Sequence, residues 1–65
     1  MTNIGKNIKK FREKKGISQD RLSKLADISL NTIAKLELIE NTNPTIETLE
    51  KIAKALDIKI DSLIK

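Results

Sequence analysis

This 65-residue sequence predicts an all-α domain of five short helices, on three observations. Apolar residues recur at i, i+3 and i+4 in several separate windows, the period of a helix with one buried face. Cap and breaker residues (Gly16, Ser18, Ser29, Pro44 and Thr45) fall between those windows. Strand-like alternation is confined to Ile58-Lys59-Ile60, which Asp57 and Asp61 bracket.

The first helix is predicted from about Asn3 to Lys15, with Ile4, Ile8 and Phe11 at i, i+4 and i+7 and Gly16 as its stop. Ser18 is placed to cap a second helix, Gln19 to Ala26, whose apolar stripe is Leu22, Leu25 and Ala26. Asp27-Ile28-Ser29 interrupts the period. Ser29 then caps a third helix, Leu30 to Leu38, with Ile33 and Leu36 inward. Glu40-Asn41-Thr42-Asn43-Pro44 forms a polar connection, in which the residue before Pro44 is biased away from helix. Thr45 caps the fourth helix, Ile46 to Leu56, with Leu49, Ile52, Ala53 and Leu56 on one face. A short fifth segment, Ile60 to Ile64, adds Ile60, Leu63 and Ile64 to the same core. Connections this short make residues 1–65 one domain.

Composition narrows the function. Only 2% of residues are aromatic against 38% hydrophobic, so the core is aliphatic. Cys and His are absent, which argues against disulfides and zinc or haem sites, and no metal or small-molecule cofactor is expected. Glu37/Glu40 and Glu47/Glu50 stand at i, i+3, but without His, Cys or a glycine-rich phosphate loop they read as solvated helix surface rather than as an active site. No apolar run approaches the roughly 20 residues that cross a bilayer, and no membrane partner is expected; a cytoplasmic protein is the default. The formal charge is +4, and residues 1–15 alone hold Lys6, Lys9, Lys10, Arg12, Lys14 and Lys15 against Glu13, a bias suited to a polyanion approached from one side.

The third helix is the most informative element. With Ile33 and Leu36 turned inward, Leu30, Asn31, Thr32 and Lys35 are left on the outer face. An amide, a hydroxyl and an ammonium on one helix surface are equipped to meet base edges in a major groove. Lys9 and Lys10 on the first helix are candidates for phosphate contact.

From IGKNIKKFREKKGISQ through NTIAKLE to NPTIETLEKIAKALDIKIDSLI, the chain resembles the Cro/C1-type (XRE-like) helix-turn-helix domains of phage repressors and bacterial regulators. The resemblance rests on Gly16 followed by Ser18-Gln19, on Ile33…Leu36-Glu37, on Asn43-Pro44 and on the IAKAL segment, in this order and spacing. It implies a compact five-helix lambda-repressor-like fold with the helix-turn-helix at the second and third helices. It also implies that Leu30, Asn31, Thr32 and Lys35 approach bases, Asn31 an adenine edge and Leu30 a thymine methyl. Thr32 would serve base or phosphate, and Lys35 guanine or backbone. Gln19 would bond a phosphate and buttress the reading helix, Asn41 and Asn43 would lie along the sugar-phosphate backbone, and Arg12 and Glu37 would form an ion pair. The partner implied is double-stranded DNA, bound as a homodimer, in a regulator that is bacterial or phage-encoded and works at the nucleoid.

The sequence departs from the family pattern in three places. Leu38 and Ile39 stand where relatives carry a basic residue and Gly; Arg21 stands where a capping box needs Glu; Lys59 replaces the usual Ser cap of the last helix. Leu38 and Ile39 are open to two readings, packing on the fourth helix or forming a subunit interface with Ile58, Ile60 and Ile64. The function expected is a sequence-specific transcriptional regulator, most simply a repressor on a palindromic operator. An antitoxin, a restriction-modification controller, or a protein-interaction module that has lost DNA binding are the alternatives.

Overall fold

The structure, a computed structural model, describes residues 3–39 and 43–64. Five α-helices follow one another: α1 (Ile4–Lys15), α2 (Gln19–Ala26), α3 (Leu30–Leu38), α4 (Ile46–Ala55) and α5 (Ile60–Ile64). No strand occurs among the described residues.

Four helices start on a side-chain cap. Asn3 Oδ1 accepts from the Lys6 N–H at 2.9 Å, Ser18 Oγ from Arg21 at 3.0 Å, Ser29 Oγ from Thr32 at 3.2 Å and Thr45 Oγ1 from Thr48 at 3.1 Å. Each satisfies a donor that a helix start leaves open, a contribution of about 1 kcal/mol. Arg21 cannot return the reciprocal bond of a capping box, so α2 has the cap alone.

Three helices end on one recurring device. Gly16, Asp27 and Asp57 take left-handed backbone, φ 73, 56 and 57°. The isoleucine after each donates its N–H back five residues: Ile17 to the Arg12 carbonyl at 3.2 Å, Ile28 to Ser23 at 2.9 Å and Ile58 to Ala53 at 2.9 Å. Ile17, Ile28 and Ile58 then pack, half-buried, against the core. This combination of αL residue, back-bonded N–H and apolar anchor is a Schellman motif. Only Gly16 adopts the left-handed region without a Cβ penalty, roughly 1–2 kcal/mol for other residues.

The core is the aliphatic one the composition requires: Ile8, Leu22, Ala26, Ile33, Leu36, Leu49, Ile52, Ala53, Leu56 and Leu63 are all buried. α1 packs on α3 and α5, α2 on α3 and α4, and α4 on α5, so every helix closes on two others or on the ring they form. Asn7 Nδ2 ties α1 to α5 by donating to the Leu63 carbonyl at 2.7 Å, satisfying an acceptor that the last turn of α5 leaves open.

The structure corrects several expectations. Leu25, placed in the apolar stripe of α2, is exposed, because eight residues present a narrow inward arc filled by Leu22 and Ala26. Leu56 is buried as expected but caps α4 from outside the helix. Ile64 is exposed at the end of α5, where Leu63 takes the buried place. Ile58 and Ile60 are packed half-buried against the core rather than left over for an interface. Gly5 has a role that sequence pattern did not show. A Cβ there would run into the Leu36 carbonyl oxygen and lie 3.2 Å from Glu37 Cα, so α1 and α3 meet backbone to backbone.

Candidate nucleic-acid interface

The geometry of α3 follows from how its two ends are held. At its start, the left-handed Asp27 and the anchored Ile28 fix the turn out of α2, and Ser29 caps the new helix. Ile33 and Leu36 bury its inner face. On the outer face, Leu30 is 43% exposed, Asn31 and Lys35 are exposed and Thr32 is half-buried. The Asn31 and Lys35 side chains have no hydrogen-bond or ionic partner among the described residues. The Thr32 hydroxyl is already engaged, 2.8 Å from Ser29 Oγ. The four residues therefore share one surface, with Asn31 and Lys35 offering their full donor and acceptor capacity to a ligand.

The far end of α3 is held by side chains. Arg12 donates through Nε to Glu37 Oε2 at 2.7 Å and through Nη2 to Glu37 Oε1 at 2.9 Å, a bidentate pair. Its Nη1 donates to the Ile17 carbonyl at 2.8 Å, and Gln19 Nε2 donates to Glu37 Oε1 at 3.1 Å. The Arg12 and Glu37 side chains are only 12% and 4% exposed. The bonds to Glu37 raise the Arg12 pKa above its ordinary value, burial opposes them, and the charges of Glu37 and Glu13 add to the rise. Arg12 thus stays cationic at any working pH. One carboxylate joins α1, the α1–α2 turn and the first residue of α2 to the end of α3.

The remaining candidates lie around this frame. Lys9 lines a groove of about 230 Å³ with Arg12, Gln19, Ala34, Glu37 and Leu38, residues of α1, α2 and α3. Lys10 is exposed one position round the helix, its Nζ 5.6 Å from the centre of the Phe11 ring. Asn43 is exposed before Pro44, whereas Asn41, like Glu40, lies outside the described residues. Leu38 and Ile39 are 82% and 50% exposed, the most exposed apolar pair beside this surface. Ile39 is extended, φ −95 and ψ 123°, so among the described residues α3 shows no left-handed stop like those that close α1, α2 and α4.

Sequence pattern did not reveal the supporting roles of Gly5, the Ile17 carbonyl and Ala34. For Ala34 the signal was present: it stands at i+4 from Leu30 and i+3 from Asn31, on the outer face. No group of three or more His, Cys, Asp or Glu side chains that could hold a metal is found among the described residues. Among the described residues no helix is long and apolar enough to cross a membrane.

A helix-turn-helix family model matches residues 8–63. The chain is 34% identical over 61 residues to the HTH-type transcriptional regulator SinR of Bacillus subtilis, an alignment covering 94% of this chain and 55% of SinR. It spans about half the length of the curated relatives it matches. Among solved structures, SinR in complex with DNA superposes with a TM-score of 0.88 at 35% identity, over 92% of this chain and 95% of that one. The restriction-modification controller protein C.AhdI of Aeromonas hydrophila gives a TM-score of 0.88 at 27% identity, over 97% and 94%. With the five-helix fold and the α2–turn–α3 geometry, these matches settle the family: the chain belongs to the Cro/C1-type (XRE-like) helix-turn-helix proteins.

Proposed function

We propose that this protein is a sequence-specific, DNA-binding transcriptional regulator, most simply a repressor, and not an enzyme. The observation that carries the reading is the outer face of α3, where Asn31 and Lys35 have no partner among the described residues, on a helix braced from behind by Glu37. α3 enters the major groove, with Asn31 set against an adenine edge, Leu30 against a thymine methyl, and Lys35 reaching a guanine or a phosphate. Thr32, whose hydroxyl is shared with Ser29, serves a phosphate at the helix start. Lys9 and Lys10 neutralise phosphates, Gln19 bonds one with the capacity left beside Glu37, and Asn41 and Asn43 follow the backbone. That the similar SinR structure is a complex with DNA supports DNA binding by this fold. The protein works in the cytoplasm, on the nucleoid.

A single domain of this size covers about 600–1,000 Å² of contact, so a two-fold dimer on a palindrome is the route to useful affinity. The C-terminal third supplies the interface, with exposed Ile64 at its edge, and half-sites lie about 10 base pairs apart, roughly 34 Å along the duplex. Selection from random duplexes followed by sequencing tests binding, specificity and half-site symmetry together. A two-fold symmetric site, with affinity falling steeply as salt rises, supports the reading. No binding at about 50 mM salt would refute it. The fit to C.AhdI favours the restriction-modification controller as a second reading within the same chemistry. A protein-interaction module draws on the exposed Leu38 and Ile39 alone.

A further inference from the structure

We infer that the cleft between the start of α1 and the end of α3 is a docking site for a protein partner. Its occupant is a short acidic segment carrying large apolar side chains, and the segment excludes DNA while seated. The docking stands on the surface itself; only the exclusion rests on the phosphate contacts proposed above. The first observation is apolar. Leu38 and Ile39 are the one pair of consecutive large apolar side chains left exposed among the described residues. Both line a groove of about 220 Å³ with Asn3, Lys6, Lys9 and Glu37. The groove of about 230 Å³ described above shares Lys9, Glu37 and Leu38 with it and runs on to Gln19 and Ala34. Leu38 thus borders two adjoining hollows, and a segment that crosses both covers its side chain.

The second observation is electrostatic. Lys6 and Lys9 are exposed at i, i+3 on α1, neighbours on its surface, and neither ammonium has a partner among the described residues. Glu37, the carboxylate common to both hollows, is already matched by the bidentate Arg12 and by Gln19. The lining is therefore cationic and complements carboxylates. The third is the combination. Phosphates would satisfy the lysines and leave Leu38 and Ile39 in water, whereas a purely apolar segment would strand two ammonium groups beside it. A peptide of Asp or Glu interleaved with Leu, Ile or Phe meets both demands at once. Seated across the two hollows, it covers Lys9 and Gln19, the groups assigned to phosphates, so peptide and duplex compete for one face.

The test is selection of phage-displayed random peptides against the full chain, followed by sequencing of those retained. Asp or Glu interleaved with large apolar residues should be enriched. The leading peptide, labelled and titrated by fluorescence anisotropy, should bind Leu38→Ala about tenfold more weakly, the loss expected for one uncovered leucine. Lys6→Glu should weaken it at least as much, and most at low salt. Both positions are exposed, so the thermal unfolding curves of the variants should match the parent's. Ile46→Ala, at the exposed start of α4, should bind the peptide as the parent does. Adding the peptide should release the duplex obtained by selection from the parent, but not from Leu38→Ala at the same concentration. Peptides indifferent to both Leu38→Ala and Lys6→Glu overturn the docking site. Retention of no acidic, apolar peptide, with Lys6→Glu weakening the duplex alone, overturns it too and assigns the lysines to DNA. Peptide and duplex bound together overturn the exclusion. Failure to bind any duplex overturns the proposed function and the exclusion with it, while peptide binding still decides the docking site.

Discussion

The two helices of the helix-turn-helix end in opposite ways. α2 closes on main-chain geometry: Asp27 turns left-handed, Ile28 bonds back to Ser23 at 2.9 Å, and its side chain is anchored in the core. Among the described residues α3 shows no such closure. It runs through Leu38 into an extended Ile39, and both side chains are open to solvent. What fixes the end of α3 is instead a side-chain clamp, Arg12 and Gln19 on Glu37, with Gly5 letting α1 approach the Leu36 carbonyl. The entry angle of α3 is thus set by backbone, and its far end by charge and close packing. The lesson is that one helix can be closed by main-chain geometry while its neighbour is held from the side by a buried ion pair.

If the clamp is what holds the end of α3, removing it should have the largest effect. Glu37→Ala leaves the buried Arg12 guanidinium uncompensated and should destabilise by about 3 kcal/mol, read from urea unfolding. A double-mutant cycle with Arg12→Ala should show strong coupling; zero coupling would mean that the pair is ornamental. Gly5→Ala comes next. Helix propensity favours alanine by about 1 kcal/mol, but the methyl meets main-chain atoms that cannot turn aside, and overpacking of about 1–3 kcal/mol should win. A more stable Gly5→Ala protein would contradict the close approach of α1 to α3.

Much of this comparison was legible in the sequence, and the limit has a physical cause. Helix starts depend on one side chain and the donor two or three residues on, so Ser18, Ser29 and Thr45 mark theirs locally. The stop at Gly16 is local for the same reason. Asp27 and Asp57 were not legible as left-handed stops, since Asp tolerates αL without requiring it. Leu25 shows that an apolar period over eight residues overstates the buried arc, and Gly5 that a close approach needs its partner helix to be seen. The Arg12–Glu37 contact was suggested by family likeness; that Gln19 and the Ile17 carbonyl share it depends on distances no spacing encodes.

The two ends should also differ in smaller ways. Ile28→Ala removes a half-buried anchor and should cost about 1–2 kcal/mol, less than the 2–5 of a fully buried site. Ile39→Ala, at the unanchored end, should stay within about 0.5 kcal/mol of the parent. Equal costs would erase the distinction between them. Leu38→Lys restores a cation at the exposed end of α3; it should leave stability nearly unchanged and steepen the salt dependence of binding to random DNA by about one counterion.

Asn31→Ala tests base reading by α3 most directly, through equilibrium binding to the selected duplex and to random DNA at one salt concentration. Affinity for the selected duplex should fall by about 1–3 kcal/mol, while binding to random DNA, held by phosphate contacts, should barely change. An equal loss on both duplexes would show that Asn31 only positions the protein, and would contradict base reading at the centre of this face.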